Sequence, residues 1–100
     1  MLLIRDIYHC KPGKVRALLD KYREMAKLSD EVGIGKMRIL TDLSAERFWT
    51  IVTEIEVESF EKFMKMGEGD PEQMKKFEAI MKGYHDLVDH GRREVWTIEN

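Results

Sequence analysis

Cysteine is almost absent. Cys10 is the single one in 100 residues, so no intrachain disulfide framework can form, and the chain reads as intracellular and cytoplasmic. Proline occurs twice and glycine seven times, too sparsely for a linker or a low-complexity segment. No long apolar run exists. The longest aliphatic run, Leu2 to Ile4, falls far short of a membrane span or the apolar segment of a leader, which predicts no membrane partner. An excess of basic charge is missing too. Lys and Arg total 17 against 19 Asp and Glu, a net charge of −2, which argues against a surface for nucleic-acid phosphates. There is no phosphate loop, zinc spacing or Ser-His-Asp arrangement, and no cofactor is predicted.

What remains is a soluble balance of 43% hydrophobic and 36% charged residues, and a length that fits one domain spanning 1–100. A chain of this size buries only roughly 60–65% of its unfolded surface. The core is thin, and a partner chain would help it.

Leu2 to Cys10 predicts a strand, with Leu2, Ile4, Tyr8 and Cys10 on one face and Leu3 and Ile7 on the other. Lys11-Pro12-Gly13-Lys14 is a turn. Val15, Leu18, Leu19, Tyr22, Met25 and Ala26 recur at helical spacing and predict a helix from Lys14 to Glu31. Two strands follow, Lys36 to Thr41 and Arg47 to Val57, joined by the hairpin loop Asp42 to Glu46. Ser59 can cap a short helix bearing Phe60, Phe63 and Met64, which Gly67-Glu68-Gly69 breaks. Asp70-Pro71 starts another helix, with Met74, Phe77, Ile80, Met81, Tyr84, Leu87 and Val88 as its apolar stripe and Gly91 as its stop. A last strand runs from Arg92 to Ile98.

The order β-α-β-β-α-β predicts an α+β, ferredoxin-like fold with a four-stranded antiparallel sheet and two helices on one face. The strands are apolar on both faces, and the helices cover one. A second copy of the chain, a homodimer, is the simplest cover for the other.

Four segments carry a resemblance over nearly the whole chain. They are Lys11-Pro12-Gly13-Lys14, Arg38-Ile39-Leu40-Thr41-Asp42, Glu54-Ile55-Glu56-Val57-Glu58-Ser59-Phe60 and Gly91-Arg92-Arg93-Glu94-Val95-Trp96. In their order and spacing the chain resembles the dimeric α+β barrel proteins of the NIPSNAP-like or stress-responsive kind. The resemblance implies two sheets paired into a barrel, with a pocket between sheet and helices in each subunit. The family includes cofactor-independent quinone-forming monooxygenases, haem-degrading monooxygenases, isomerases and cyclases, so fold does not decide function. The haem-degrading branch uses an Asn, a Trp and a His. The corresponding positions here hold Asp6, Glu54 and Met81, so the resemblance does not extend to that chemistry. The same comparison turns Ile4, Asp6, Tyr8 and Cys10 toward the helices.

Asp6 and His85 are the candidate catalytic residues. A carboxylate on a sheet face beneath helices acts as a pocket base or hydrogen-bond acceptor, or else is held in a salt bridge. His85 borders the apolar stripe, where an imidazole serves as acid or base or simply meets solvent. Tyr8, Trp49, Met81 and Tyr84 are the candidate ligand-binding residues, and each has core packing as its plainer reading. Met64, Met66, Met74 and Met81 suit a pocket for flat apolar molecules or ordinary packing. His85/Asp89 and Asp86/His90 are i, i+4 pairs, but they point in different directions on a helix, so no metal site is predicted. Cys10 reads as a buried structural thiol. Arg47-Phe48-Trp49-Thr50-Ile51-Val52 lacks the glycine of an RNA-recognition strand, and Glu54, Glu56 and Glu58 would repel phosphates. The leading expectation is a homodimeric barrel with one apolar pocket per subunit, acting without a cofactor on an aromatic or polyketide-like molecule by monooxygenase or isomerase chemistry. The alternative is a non-catalytic protein-interaction or ligand-carrier module.

Overall fold

The computed structural model describes residues 1–33, 35–66 and 70–100. The elements are β1 (Leu2–Cys10), α1 (Val15–Glu31), β2 (Arg38–Thr41), β3 (Thr50–Val57), α2 (Phe60–Met66), α3 (Pro71–Met81), a 3-10 turn at Tyr84–Asp86 and β4 (Val88–Thr97). The strands form one antiparallel sheet in the order β2-β3-β1-β4. This is the expected α+β ferredoxin-like fold.

Local chemistry explains most boundaries. The Ser59 hydroxyl accepts from the Lys62 amide at 3.1 Å and starts α2. The Asp70 carboxylate accepts from the Glu72 amide at 2.9 Å, and Pro71 follows it at the first helical position of α3. The expected break at Gly67-Glu68-Gly69 lies outside the described residues.

Three expectations need correction. The long helix through Val88 stops at Met81, because Lys82 turns extended and Gly83 takes φ +84, a left-handed conformation that suits glycine. Lys21 of α1 donates to the carbonyls of Ile80 and Lys82 at 3.2 and 2.8 Å, which satisfies the helix end. Gly91 is no helix stop. It lies within β4, opposite Tyr8, where a Cβ would sit 3.0 Å from the Tyr8 ring and 3.2 Å from the Ile7 carbonyl. β4 therefore starts at Val88 rather than Arg92, and the i, i+4 geometry considered for His85, Asp86, Asp89 and His90 does not arise. Finally, the middle strands are shorter than Lys36–Thr41 and Arg47–Val57. Asp42 accepts from the Thr50 amide at 2.8 Å, Thr50 donates to the Arg47 carbonyl at 2.9 Å, and Trp49 takes φ +58. Those bonds turn residues 42–49 into a wide loop.

Two apolar clusters pin the helices to the sheet. Cys10, Leu18, Tyr22 and Ile51 form one, and Ile4, Ile55 and Val57 the other. Between their rows the helix-facing side carries Thr53, Asp6 and Arg93 in register. A polar row thus separates two apolar ones. No residue of α3 is fully buried, so its apolar stripe stands over this row rather than filling it.

The opposite face follows the alternation of strand side chains. One row crosses all four strands as Arg38, Glu54, Arg5 and Glu94. Charge alternates along it. Arg5 Nε lies 2.7 Å from Glu54, Arg38 also binds Glu54, and Arg5 reaches Glu94 at 3.7 Å. Burial opposes ionisation of Glu54, but the bonds and charges of Arg38 and Arg5 outweigh it and hold the carboxyl below its ordinary range. The next rows carry Leu40, Val52, Ile7 and Arg92, then Thr50, His9 and His90.

Candidate functional site

The gap between the clusters is a half-open cleft of about 520 Å³ between sheet and helices. Ile4, Asp6, Tyr8, Thr53 and Ile55 form its floor, Tyr22, Met25 and Ser29 one wall, and Phe63, Met74, Phe77, Met81 and Tyr84 the other. A helix-to-sheet interface filled solid would have left no such space. The volume falls within the usual ligand-site range of about 300–1,000 Å³.

Asp6 is the polar centre. Arg93, opposite it on β4, donates to both carboxylate oxygens, Nε at 2.7 Å and an Nη at 3.0 Å. The pair is bidentate, which fixes its geometry as well as its charge. The hydrogen bonds that Arg93 donates to Asp6 strengthen its hold on its proton, and the Phe63 ring lies under the guanidinium at 5.0 Å. The Tyr8 hydroxyl points at the same carboxylate at 3.5 Å. Tyr8 and Tyr22 pack ring to ring at 5.1 Å. Burial raises the pKa of both phenols, so both remain protonated donors at neutral pH. The site offers a charge-compensated acceptor beside phenolic donors, within apolar and thioether walls.

The expected residues divide. Asp6, Tyr8, Met81 and Tyr84 all line the cleft. His85 does not. It is exposed on the 3-10 turn, its ring 4.0 Å from that of Tyr84, and it borders a more open neighbouring cleft that shares Asp6, Tyr8, Tyr84 and Arg93. Trp49 is also elsewhere, half-exposed beside Phe48 on a separate surface cleft that Gly13 and Arg16 help to line. Cys10 is buried, and burial raises its thiol pKa, as suits a structural thiol. Sequence reasoning missed Arg93 and Tyr22. Asp6 needed a cation, but only the β1–β4 register identifies it. Tyr22 looked like one more apolar position on the stripe of α1.

Among the described residues no helix is long and apolar enough to cross a membrane, and no group of three or more His, Cys, Asp or Glu is placed to hold a metal ion.

No protein-family model matches the chain, and no curated protein does. Solved structures do match. An uncharacterized NIPSNAP domain protein from Burkholderia xenovorans superposes with a TM-score of 0.76 at 19% identity, over 98% of this chain and 94% of that one. A NIPSNAP family protein from Agrobacterium tumefaciens gives 0.78 at 12% identity, over 99% and 93%. A candidate antibiotic biosynthesis monooxygenase from Nitrosomonas europaea gives 0.73 at 14% identity, over the full length of both. In sheet order and helix placement, this chain has the ferredoxin-like fold of the NIPSNAP domain and antibiotic biosynthesis monooxygenase structures.

Proposed function

We propose that the protein binds a small, largely apolar aromatic molecule in the cleft above Asp6 and works as a homodimer. The observation that carries the reading is the Asp6–Arg93 pair at the floor of an otherwise apolar cleft of about 520 Å³. A compensated pair adds little net charge, so it favours a neutral ligand with a hydroxyl or enol group over an anion. Asp6 accepts from that group, Tyr8 donates to a neighbouring oxygen, and the methionines adapt to a flat ring. If the ligand is turned over, Asp6 is the proton acceptor and no cofactor is required, in line with the monooxygenase name that some fold relatives carry. His85 has no contact with the cleft and takes no part in this reading.

Two observations support the homodimer. The face away from the helices is unpartnered, and its alternating row of Arg38, Glu54, Arg5 and Glu94 is complementary to a second copy running in the opposite direction. Trp96 and Leu40 are exposed on it. Light scattering at micromolar concentration is expected to give twice the 11.8 kDa chain mass. A monomeric mass would remove the dimer from the proposal and leave the cleft standing.

The ligand reading is tested with a bicyclic aromatic alcohol such as naphthol as probe. Asp6→Asn is expected to weaken its binding about tenfold or more, since a hydrogen bond to a charged group contributes roughly 1.5–3 kcal/mol. His85→Ala is expected to bind like the unaltered protein. Equal binding by Asp6→Asn would contradict the role given to Asp6.

A further inference from the structure

At one end of the face away from the helices, two histidines each meet an arginine. His9 on β1 is 5% exposed. Its Nε2 lies 3.4 Å from Arg92 Nη1 and its Nδ1 3.2 Å from the Thr50 hydroxyl. His90 on β4 is exposed, with Nε2 3.1 Å from Arg47 Nη1 and Nδ1 3.3 Å from Asp89. The two rings stand 4.7 Å apart.

A guanidinium only donates, so each Nε2 must carry the lone pair and each Nδ1 the proton. The remaining partners agree. The Thr50 hydroxyl donates to the Arg47 carbonyl and so can accept from His9, while Asp89 is an acceptor for His90. Both imidazoles are therefore neutral in this arrangement, and both Nε2 contacts invert on protonation. A donor would then face a donor, and a cation a cation.

We propose that His9 and His90 form a proton-operated latch. As a neutral acceptor for Arg47, His90 holds the 42–49 loop onto the end of the sheet, while neutral His9, which accepts from Arg92 on the adjacent strand, leaves the nearby Arg47 unrepelled; protonation releases the loop. The groups around the latch are Arg47 and Glu46 from the loop, Thr50 from β3, and Asp89, His90, Arg92 and Glu94 from β4. Glu46 favours the charged form of His9. Burial of His9, with Arg47, His90 and Arg92 beside it, opposes charging and lowers its pKa. After protonation Asp89 stays with His90, and the Arg47 guanidinium is left with its 3.7 Å contact to Asp89. Next to Arg47 and Phe48 the loop holds Trp49 at φ +58, a left-handed backbone that a bulky residue rarely adopts. Release lets Trp49 relax toward the extended conformation of a β3 longer by one residue. Because folding favours neutral His9, its contribution to stability is complete above the ordinary imidazole pKa of about 6.5 and declines as pH falls below it.

The latch goes beyond the proposed cleft and is tested without a ligand. The chain has two tryptophans, so Trp96→Phe leaves Trp49 as the single reporter. Between pH 8 and 5, above the ordinary carboxylate range, its emission is expected to shift with a midpoint below about 6.5, while far-ultraviolet circular dichroism stays constant. His9→Gln with His90→Gln, added to Trp96→Phe, is expected to abolish the shift. Arg47→Met is expected to give the acid emission already at pH 8. Should the double variant fail to fold by circular dichroism, His90→Gln alone, at an exposed site, is expected to lose at least about half of the amplitude. Constant emission in the Trp96→Phe protein would overturn the latch. So would a shift that the histidine variants leave undiminished.

Discussion

Leu18→Ala is expected to destabilise the protein by about 3 kcal/mol, within the roughly 2–5 kcal/mol seen when a buried leucine is truncated. Leu18 is 0% exposed and, with Tyr22, packs α1 against Cys10 and Ile51. The cavity left behind cannot close easily, because the cluster is anchored in two strands as well as in the helix. In a domain of this size each kcal/mol shifts the melting temperature by roughly 4–8 °C, so thermal unfolding reads the effect clearly. Phe48→Ala provides the contrast. Its side chain is 77% exposed, and its removal is expected to change stability by less than about 0.5 kcal/mol.

The second large effect concerns the charged row. Replacing both Arg5 and Arg38 with methionine leaves Glu54, whose side chain is 4% exposed, without a counter-ion. Breaking a buried pair typically costs about 3–5 kcal/mol. The arginine side chains are 35% and 73% exposed, so solvent screening places the expected loss near the lower end, about 3 kcal/mol. Glu54→Met alone is expected to cost less, since both guanidinium groups can turn to water. The pH dependence separates the explanations. In the unaltered protein folding lowers the Glu54 pKa, so its contribution is present above the unfolded value of about 4.3 and is lost as pH falls below it. In the double variant burial acts without opposition and raises the pKa. Acid should then recover stability as pH falls toward the unfolded value of about 4.3, the opposite slope, measured by urea unfolding across pH 4–7.

Much of the fold was legible in single residues and their spacing. Strand β1 and helix α1 follow from the period of Leu2 to Cys10 and of Val15 to Ala26, and Ser59 and Asp70-Pro71 mark the starts of α2 and α3. Where the reading failed, one pattern had two physical meanings. Tyr84, Leu87 and Val88 continue the helical spacing of α3, yet they pack on the Cys10 cluster from a 3-10 turn and a strand. Gly91 has the look of a helix stop, but it is needed because Tyr8 lies against its Cα. Phe48 and Trp49 favour strands by type, and the Asp42–Thr50 hydrogen bonds override that preference. The cleft was legible as far as Asp6, Tyr8, Met81 and Tyr84. Arg93 required the register of two strands far apart in sequence, which no local pattern encodes.

Entry of a small aromatic molecule into the space above Asp6 can be read directly at the methionines. Met25, Met37, Met64, Met74 and Met81 all line that space, and Met1 does not. Carbon-13 labelling of the methionine methyls therefore places reporters around the cleft, with Met1 as the reference outside it. On titration with naphthol in an NMR spectrometer, the Met25, Met37, Met64, Met74 and Met81 methyls are expected to show saturable shifts, with Met1 unchanged. Methyl signals that stay fixed up to millimolar probe, or that move at Met1 while the cleft methyls remain still, would contradict binding in the cleft.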